Sequence, residues 1–169
     1  WIRQALIGPW LRRLSPVVRV AAYVWRRLMW RTTFIAVTGS LGKTTAKELL
    51  ACILQAHART YRTIGNQNGP HLVELNVLRV RPWHRYAVLE LAGAAPGMMQ
   101  RLAPLVRPDI ALILAIRRTH SIAFANLDEH AREKSHLVRA TSSRGTVALF
   151  ADDDRVAKMA DAATQRVIR

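Results

Sequence analysis

The chain has 169 residues, of which 50% are hydrophobic and 22% are charged; this composition excludes a disordered tail and a small disulfide-held scaffold, and it suffices for one domain with a core. Cys52 is the only cysteine, so no internal disulfide can form, which fits a reducing, cytoplasmic location. The formal net charge of +15 favours an anionic partner, and because the sequence has no aromatic-flanked RNA signature or zinc-finger spacing, nucleic acid is the least favoured of these partners.

The first 33 residues differ from the rest in charge. Residues 1–33 contain seven arginines and four of the five tryptophans but no acidic residue. After Pro16, apolar residues at helical spacing, interrupted by arginines, predict a helix from Val17 to Trp30. Neither a membrane span nor a signal peptide is expected, because no run reaches the roughly 18 apolar residues of a span and no small-residue cleavage site follows a long apolar core.

Two interpretations of this basic N-terminal segment stay open. It is either an amphipathic helix on an anionic membrane surface, or a helix packed on the following domain or left as the stub of a neighbouring one. Tryptophan at helical spacing is more often part of a core than a membrane anchor, which favours packing. Because the sequence starts at Trp1 rather than at methionine, we expect a fragment. We also expect the main domain, residues 34–169, to be incomplete at its C-terminus.

From Phe34 onwards, strand and helix patterns alternate. This rhythm predicts the α/β class, with a doubly wound, mostly parallel sheet and a P-loop-type phosphate site. The predicted elements are strand Phe34–Thr38, helix Lys43–His57, a short strand Thr60–Ile64, helix His71–Arg79, strand Tyr86–Leu91, helix Pro96–Val106 with proline in its first turn, a buried strand Ile110–Ile116, a helix capped by Asn126 that runs to about Ala140, strand Thr146–Ala151 and helix Asp154–Ala163.

The turn after the first strand is the most informative stretch. It reads Gly39-Ser40-Leu41-Gly42-Lys43-Thr44-Thr45 and leads from a strand into a helix. Such a turn points backbone N–H groups and the positive end of the helix at one place, which binds phosphate. Lys43 can reach the outer phosphates and the Thr44 hydroxyl can ligate Mg²⁺, although Val37 stands where the general pattern has its first glycine.

Polar residues also follow the later strands. Glu90 ends the third main strand, Thr119 and His120 follow the fourth, and Asp152 to Asp154 follow the fifth. Because ligands of such sheets bind beyond the carboxyl ends of the strands, one nucleotide–metal site could use all of them. A carboxylate in the apolar run around Glu90 is costly unless it is paired or bound to metal, which favours a ligand role.

Four ordered blocks point to a known family. They are Thr38 to Thr45; Gly65-Asn66-Gln67-Asn68; Leu89-Glu90-Leu91 with Pro96-Gly97; and Thr119-His120 followed by Lys134, with Asp152-Asp153 as a weaker fifth. The set spans about residues 34–161 and resembles the central ATPase domain of the Mur ligase family, most closely the branch that adds D-alanyl-D-alanine to a muramyl peptide.

The resemblance implies ATP-dependent amide ligation in peptidoglycan precursor synthesis, with ATP and Mg²⁺, a carboxylate substrate, an amine acceptor and flanking ligase domains as partners. It implies catalytic roles for Lys43, Lys134 and His120, and Lys134 matches the lysine that relatives carry as a carbamate. The remaining implied contacts are nucleotide binding by Gly39, Ser40, Leu41, Gly42, Lys43, Thr44, Thr45 and Asn68, and metal binding by Thr44, Glu90, His120 and Lys134.

The sequence also departs from the family pattern. Ala92 replaces a glycine, Leu114-Ala115 replace a Thr-Asn pair, and Phe150 replaces an asparagine. These departures leave open a divergent, non-catalytic member, and the basic N-terminal segment leaves open an ATP-binding module that associates with a membrane or nucleic acid.

Overall fold

The computed structural model describes residues 16–117 and 123–169. No helix in these two ranges is long and apolar enough to cross a bilayer. The elements, numbered in chain order, are α1 (16–28), β1 (Thr33–Thr38), α2 (Lys43–Gln55), β2 (Thr60–Arg62), α3 (Pro70–Arg79), β3 (Tyr86–Glu90), α4 (Met98–Val106), β4 (Ile110–Ile113), α5 (Leu127–Ala140), β5 (Thr146–Leu149), α6 (Asp154–Ala157) with a 3-10 turn at Lys158–Ala162, and β6 (Arg166–Ile168).

The six strands form one parallel sheet in the order β2-β3-β1-β4-β5-β6. The strand that precedes the phosphate loop, β1, therefore lies in the middle, between β3 and β4. In this register Val37 is opposite Glu90, so the predicted metal ligand lies beside the start of the loop. The ends of β1 and β3 thus form one corner of the predicted site.

Alternation along β1 separates two apolar layers. Ile35 and Val37 pack with Ala51 of α2 on one face of the sheet. Phe34 and Ala36 belong to the larger core on the other face, which includes buried residues of α1, α3, α4 and α5. Helices therefore cover both faces, and the predicted α/β doubly wound architecture is confirmed.

Helix α1 packs against the domain through one face. Ala22 and Met29 are buried, and the Trp25 indole donates a hydrogen bond to Val80 O at 2.8 Å. The buried Arg26 guanidinium donates to Val106 O and to a second carbonyl at the end of α4, both at 2.7 Å. The helix predicted between Val17 and Trp30 is present and is fixed at these points.

The start of helix α4 differs from the prediction because of a long-range partner, and several other element boundaries differ by one to three residues. Helix α4 begins at Met98 rather than Pro96, since Gly97 takes a left-handed backbone (φ 77°) and the Glu133 carboxylate accepts hydrogen bonds from the Gly97 and Met99 amides. Strand β4 ends at Ile113 rather than Ile116.

The C-terminal elements also differ. The predicted helix Asp154–Ala163 is one α-helical turn followed by a 3-10 turn. The sequence analysis missed β6, a three-residue strand that pairs with the edge of β5.

Candidate active site

The loop between β1 and α2 depends on two glycines. A Cβ on Gly39 (φ 150°) would lie 2.7 Å from the Leu114 Cβ, and Gly42 (φ 76°) begins α2 without a side-chain cap. The first helical bond runs from Ala46 N to Gly42 O, so the three amides between them have no place in the helical ladder. These amides and the positive end of α2 are the groups that the predicted phosphate cradle would use. The remaining predicted residues of the loop, Leu41 and Thr45, are exposed.

Lys43 and Ser40 face the same cavity. The Lys43 ammonium donates to Ser40 O at 3.0 Å, and burial lowers the pKa of Lys43 while Glu90 opposes that shift. The Ser40 hydroxyl is buried and has no hydrogen-bond partner among the described residues. A phosphate oxygen could accept hydrogen bonds both from the Lys43 ammonium and from the Ser40 hydroxyl.

Glu90 is the buried carboxylate of the site, with 1% of its surface exposed. It accepts hydrogen bonds from the Thr44 hydroxyl at 2.9 Å and from the Asn68 amide at 2.7 Å, and the Lys47 ammonium lies 3.9 Å from its Oε2. The structure therefore brings together Thr44, Glu90 and Asn68, which the sequence analysis took from three separate blocks.

The donor set around Glu90 fits Mg²⁺. The Thr44 hydroxyl and the Glu90 carboxylate are adjacent oxygen donors at the mouth of the phosphate loop. Protein Mg²⁺ sites typically use one or two carboxylates plus substrate phosphates, so they need no cage of protein ligands. Residues 16–117 and 123–169 contain no group of three or more His, Cys, Asp or Glu side chains that could hold a metal ion.

Lys134 reaches the site from α5. It is 2% exposed, and its ammonium lies 3.5 Å from the Thr38 hydroxyl. With Lys43 and Gly93 it lines a small cavity of about 70 Å³. Burial, reinforced by the charge of Lys43, lowers the pKa of Lys134 to about 7, so a neutral amine is available near physiological pH.

The sequence analysis missed His130, which lies one turn before Lys134 on the same face of α5 and lines the same cavity. Its ring stacks on Phe124 with centroids 4.6 Å apart, and burial, aided by Lys134, lowers its pKa to about 4. The i, i+4 spacing from Lys134 was the available signal. A neutral imidazole therefore forms part of the cavity wall.

The sequence analysis also missed Lys47. Its side chain is fully buried, and it donates to Thr63 O at 2.8 Å and to Gly65 O at 2.6 Å while approaching Glu90. It therefore ties α2 to the loop that carries Asn68. The chain has only four lysines among its 26 basic residues. Three of them, Lys43, Lys47 and Lys134, lie at this site.

Two predicted groups have other outcomes. Thr119 and His120 lie outside the described residues. Asp153 has a structural role, because its carboxylate accepts from Ile116 N at 2.7 Å and from Arg155 N at the start of α6 at 3.0 Å. Its carboxylate therefore holds the segment that follows β4 and caps the start of α6.

Two departures from the family pattern contact the site through the backbone. Ala115 O accepts from Ser40 N at 2.9 Å, and Ala92 N donates to Asn68 O at 3.2 Å. Because any residue other than proline supplies these backbone groups, the substitutions at these positions leave the two hydrogen bonds intact.

Comparison with known proteins agrees with this geometry. The family model described as "Mur ligase middle domain" matches residues 37–169. The UDP-N-acetylmuramoyl-tripeptide–D-alanyl-D-alanine ligase of Borreliella burgdorferi is 38% identical over 126 residues, which are 73% of this chain and 27% of that protein. The ligase of the same name from Mycobacterium leprae is 35% identical over 137 residues, which are 81% of this chain and 26% of that protein.

A solved structure of MurF from Acinetobacter baumannii superposes with a TM-score of 0.85 at 33% identity, covering 89% of this chain and 34% of that one. This chain thus spans about a quarter of the length of the relatives that it matches. These likenesses show that the chain belongs to the Mur ligase middle domain family.

Proposed function

We propose that this chain is the nucleotide-binding part of an ATP-dependent amide ligase. The observation that carries the proposal is the convergence of Lys43, Glu90 and Lys134 on one glycine-bearing loop. The loop amides and Lys43 would hold the phosphates of ATP, and Thr44 with Glu90 would hold Mg²⁺. The metal supplies charge neutralisation between the phosphates and an approaching carboxylate.

The reaction would proceed in two steps. A substrate carboxylate attacks the γ-phosphorus, the bond to the β-phosphate breaks, and an acyl phosphate and ADP form. An amine then attacks the acyl carbon and inorganic phosphate leaves, which gives the amide. Lys43 would offset the repulsion between the anionic carboxylate and the phosphates, which is the main electrostatic obstacle to the first step.

By extension from the names of the relatives, the carboxylate would belong to a UDP-muramoyl tripeptide and the amine to D-alanyl-D-alanine. Both ligands need binding surfaces beyond the nucleotide site, and this chain covers about a quarter of the relatives. The flanking domains would supply those surfaces and close over the site. We place the activity in the cytoplasm, where ATP is available and the exposed thiol of Cys52 stays reduced.

Calorimetry of the chain with ATP, in the presence and absence of Mg²⁺, tests the nucleotide assignment. We expect saturable binding that requires Mg²⁺. ADP formation by a longer protein that includes the flanking domains, dependent on both carboxylate and amine, tests the ligase assignment. A longer protein that binds Mg²⁺ and ATP but forms no ADP with any such pair would indicate the non-catalytic alternative.

Lys134 carries a separate prediction. We propose that its neutral amine adds CO₂ and releases a proton, which gives a carbamate that helps hold a second Mg²⁺, together with His120. The buried amine lies beside Lys43, which would neutralise the new negative charge. In ¹³C-bicarbonate, NMR should show a protein-bound carbamate signal that rises from pH 6 to pH 8 at fixed dissolved CO₂, because deprotonation exposes the nucleophile.

The matched variants are Lys134→Arg, which should lose the signal, and Lys158→Arg on the exposed 3-10 turn, which should keep it. A signal of equal size in Lys134→Arg would place the carbamate elsewhere.

A further inference from the structure

Helix α1 has a second apolar face, apart from the one that packs on the domain, and its Val20 borders a cleft between α1 and α4. Val17, Val20, Val24 and Leu28 follow one another at intervals of three or four residues, and they are 66, 63, 50 and 58% exposed. This set is called the α1 stripe below. A helix that is apolar on both sides is expected to have a partner on both sides. Because Trp25 and Arg26 fix the inner face, α1 cannot roll the stripe into the core.

The stripe leads to a basic edge of the sheet. Each of the strands β1 to β5 is preceded, within three residues, by an exposed arginine, and these residues lie at the end of the sheet opposite the phosphate loop. Asp109, the acidic residue just before β4, is paired with Arg26 at 3.2 Å. The arginines of this basic edge are Arg31, Arg59, Arg85, Arg107 and Arg144.

Two exposed tryptophans adjoin arginines of the basic edge. Trp30 follows α1 and is 78% exposed, and Trp83 precedes β3 and is 59% exposed. Arg31 lies over the Trp30 ring at 5.5 Å, and it shares with Trp83 and Arg85 a shallow cleft of about 410 Å³. Residues 16–47 and 75–89, which carry the α1 stripe, both tryptophans, Arg31 and Arg85, contain no acidic residue.

We propose that the α1 stripe, the two tryptophans and the basic edge form a surface that binds an anionic lipid bilayer. Exposed aliphatic side chains gain from burial at the acyl boundary, tryptophan favours the headgroup level, and arginine pairs with lipid phosphates. A nucleic acid would match the charge but would leave the aliphatic stripe without a partner.

The orientation that the chain would take on the bilayer is compatible with the proposed function but does not depend on it. The basic edge precedes the strands, whereas the phosphate loop and Glu90 follow them. The chain would therefore lie on the bilayer with its nucleotide site facing away from the lipid.

Vesicle co-sedimentation tests the proposal. The chain should bind mixed vesicles of phosphatidylglycerol and phosphatidylcholine but not vesicles of pure phosphatidylcholine. Raising NaCl from about 50 to about 500 mM should weaken binding at least about tenfold, because salt screens exposed charges. Val24→Glu with Leu28→Glu should also weaken it at least about tenfold. A matched control, Leu49→Glu with Ile53→Glu on α2, makes the same change of charge at residues that are both 60% exposed and should bind as the unchanged chain does.

A second variant, Trp30→Ser with Trp83→Ser, changes no charge and should reduce vesicle binding and the blue shift of tryptophan fluorescence, while circular dichroism shows that the fold is kept. Three results would overturn the proposal: no binding to anionic vesicles, unchanged binding by Val24→Glu with Leu28→Glu, or retention of duplex DNA by the chain without vesicle binding. A dimer in solution that the stripe variant alone dissociates would assign the stripe to a second copy instead.

Discussion

Replacing Lys43 with alanine should weaken the binding of ATP with Mg²⁺ by about 100-fold or more. Lys43 is the first residue of α2 and lies at the phosphate loop. Charge-assisted hydrogen bonds to phosphate contribute roughly 3 kcal/mol to binding, which corresponds to a factor of about 100 in affinity. The ammonium donates to Ser40 O, so phosphate binding would exchange a neutral acceptor for an anionic one. Titration calorimetry at fixed Mg²⁺ measures the change directly.

Lys158→Ala is the control for this result. It removes the same charge from an exposed position on the 3-10 turn and should leave the affinity unchanged. Thermal melting without nucleotide should show that Lys43→Ala still folds, because Lys43 is only half-buried and bonds to its own loop. Unchanged affinity in Lys43→Ala would move the triphosphate away from this loop and remove the basis of the proposed function.

The turn between β1 and α2 was predictable because its signal is local. The turn Gly39 to Thr45 lies between a strand and a helix that can both be predicted from their own residues. Asn126 likewise caps α5 as predicted, because its side chain accepts a hydrogen bond from the Glu129 amide. The position of Glu90 followed from a topological rule, since the carboxyl ends of parallel strands meet at one edge. The structure confirms that meeting in the contact with Thr44.

What the sequence could not reveal depends on partners far along the chain. The start of α4 is set by Glu133, which lies 36 residues from Gly97, so a proline near the expected first turn misled the prediction. Strand β6 is too short to show a period and exists as an edge partner of β5. Nothing in the sequence around His130 marks it as a site residue. Only the fold stacks its ring on Phe124 and places it in the same cavity as Lys134.

The second large effect concerns Lys47, whose replacement by methionine should destabilise the fold by about 3–5 kcal/mol. The substitution roughly conserves length but removes the cation that approaches Glu90 at 3.9 Å and bonds to the carbonyls of Thr63 and Gly65. Breaking a fully buried ion pair from one side leaves the other charge uncompensated, and that penalty dominates the expected loss. Urea unfolding followed by circular dichroism measures it.

A double-substitution cycle separates that penalty from simple loss of packing. Glu90→Gln combined with Lys47→Met removes both charges, so it should be more stable than Lys47→Met alone by about 1–3 kcal/mol. Arg62→Met is the matched surface control, because Arg62 bonds to Glu48, the other partner of Lys47, at 2.6 Å but is exposed, and its loss should cost less than about 1 kcal/mol. If Lys47→Met lowers the free energy of unfolding no more than Arg62→Met does, Lys47 does not hold Glu90 and the Asn68 loop in place. The position of Glu90 must then depend on its hydrogen bonds with Thr44 and Asn68 alone.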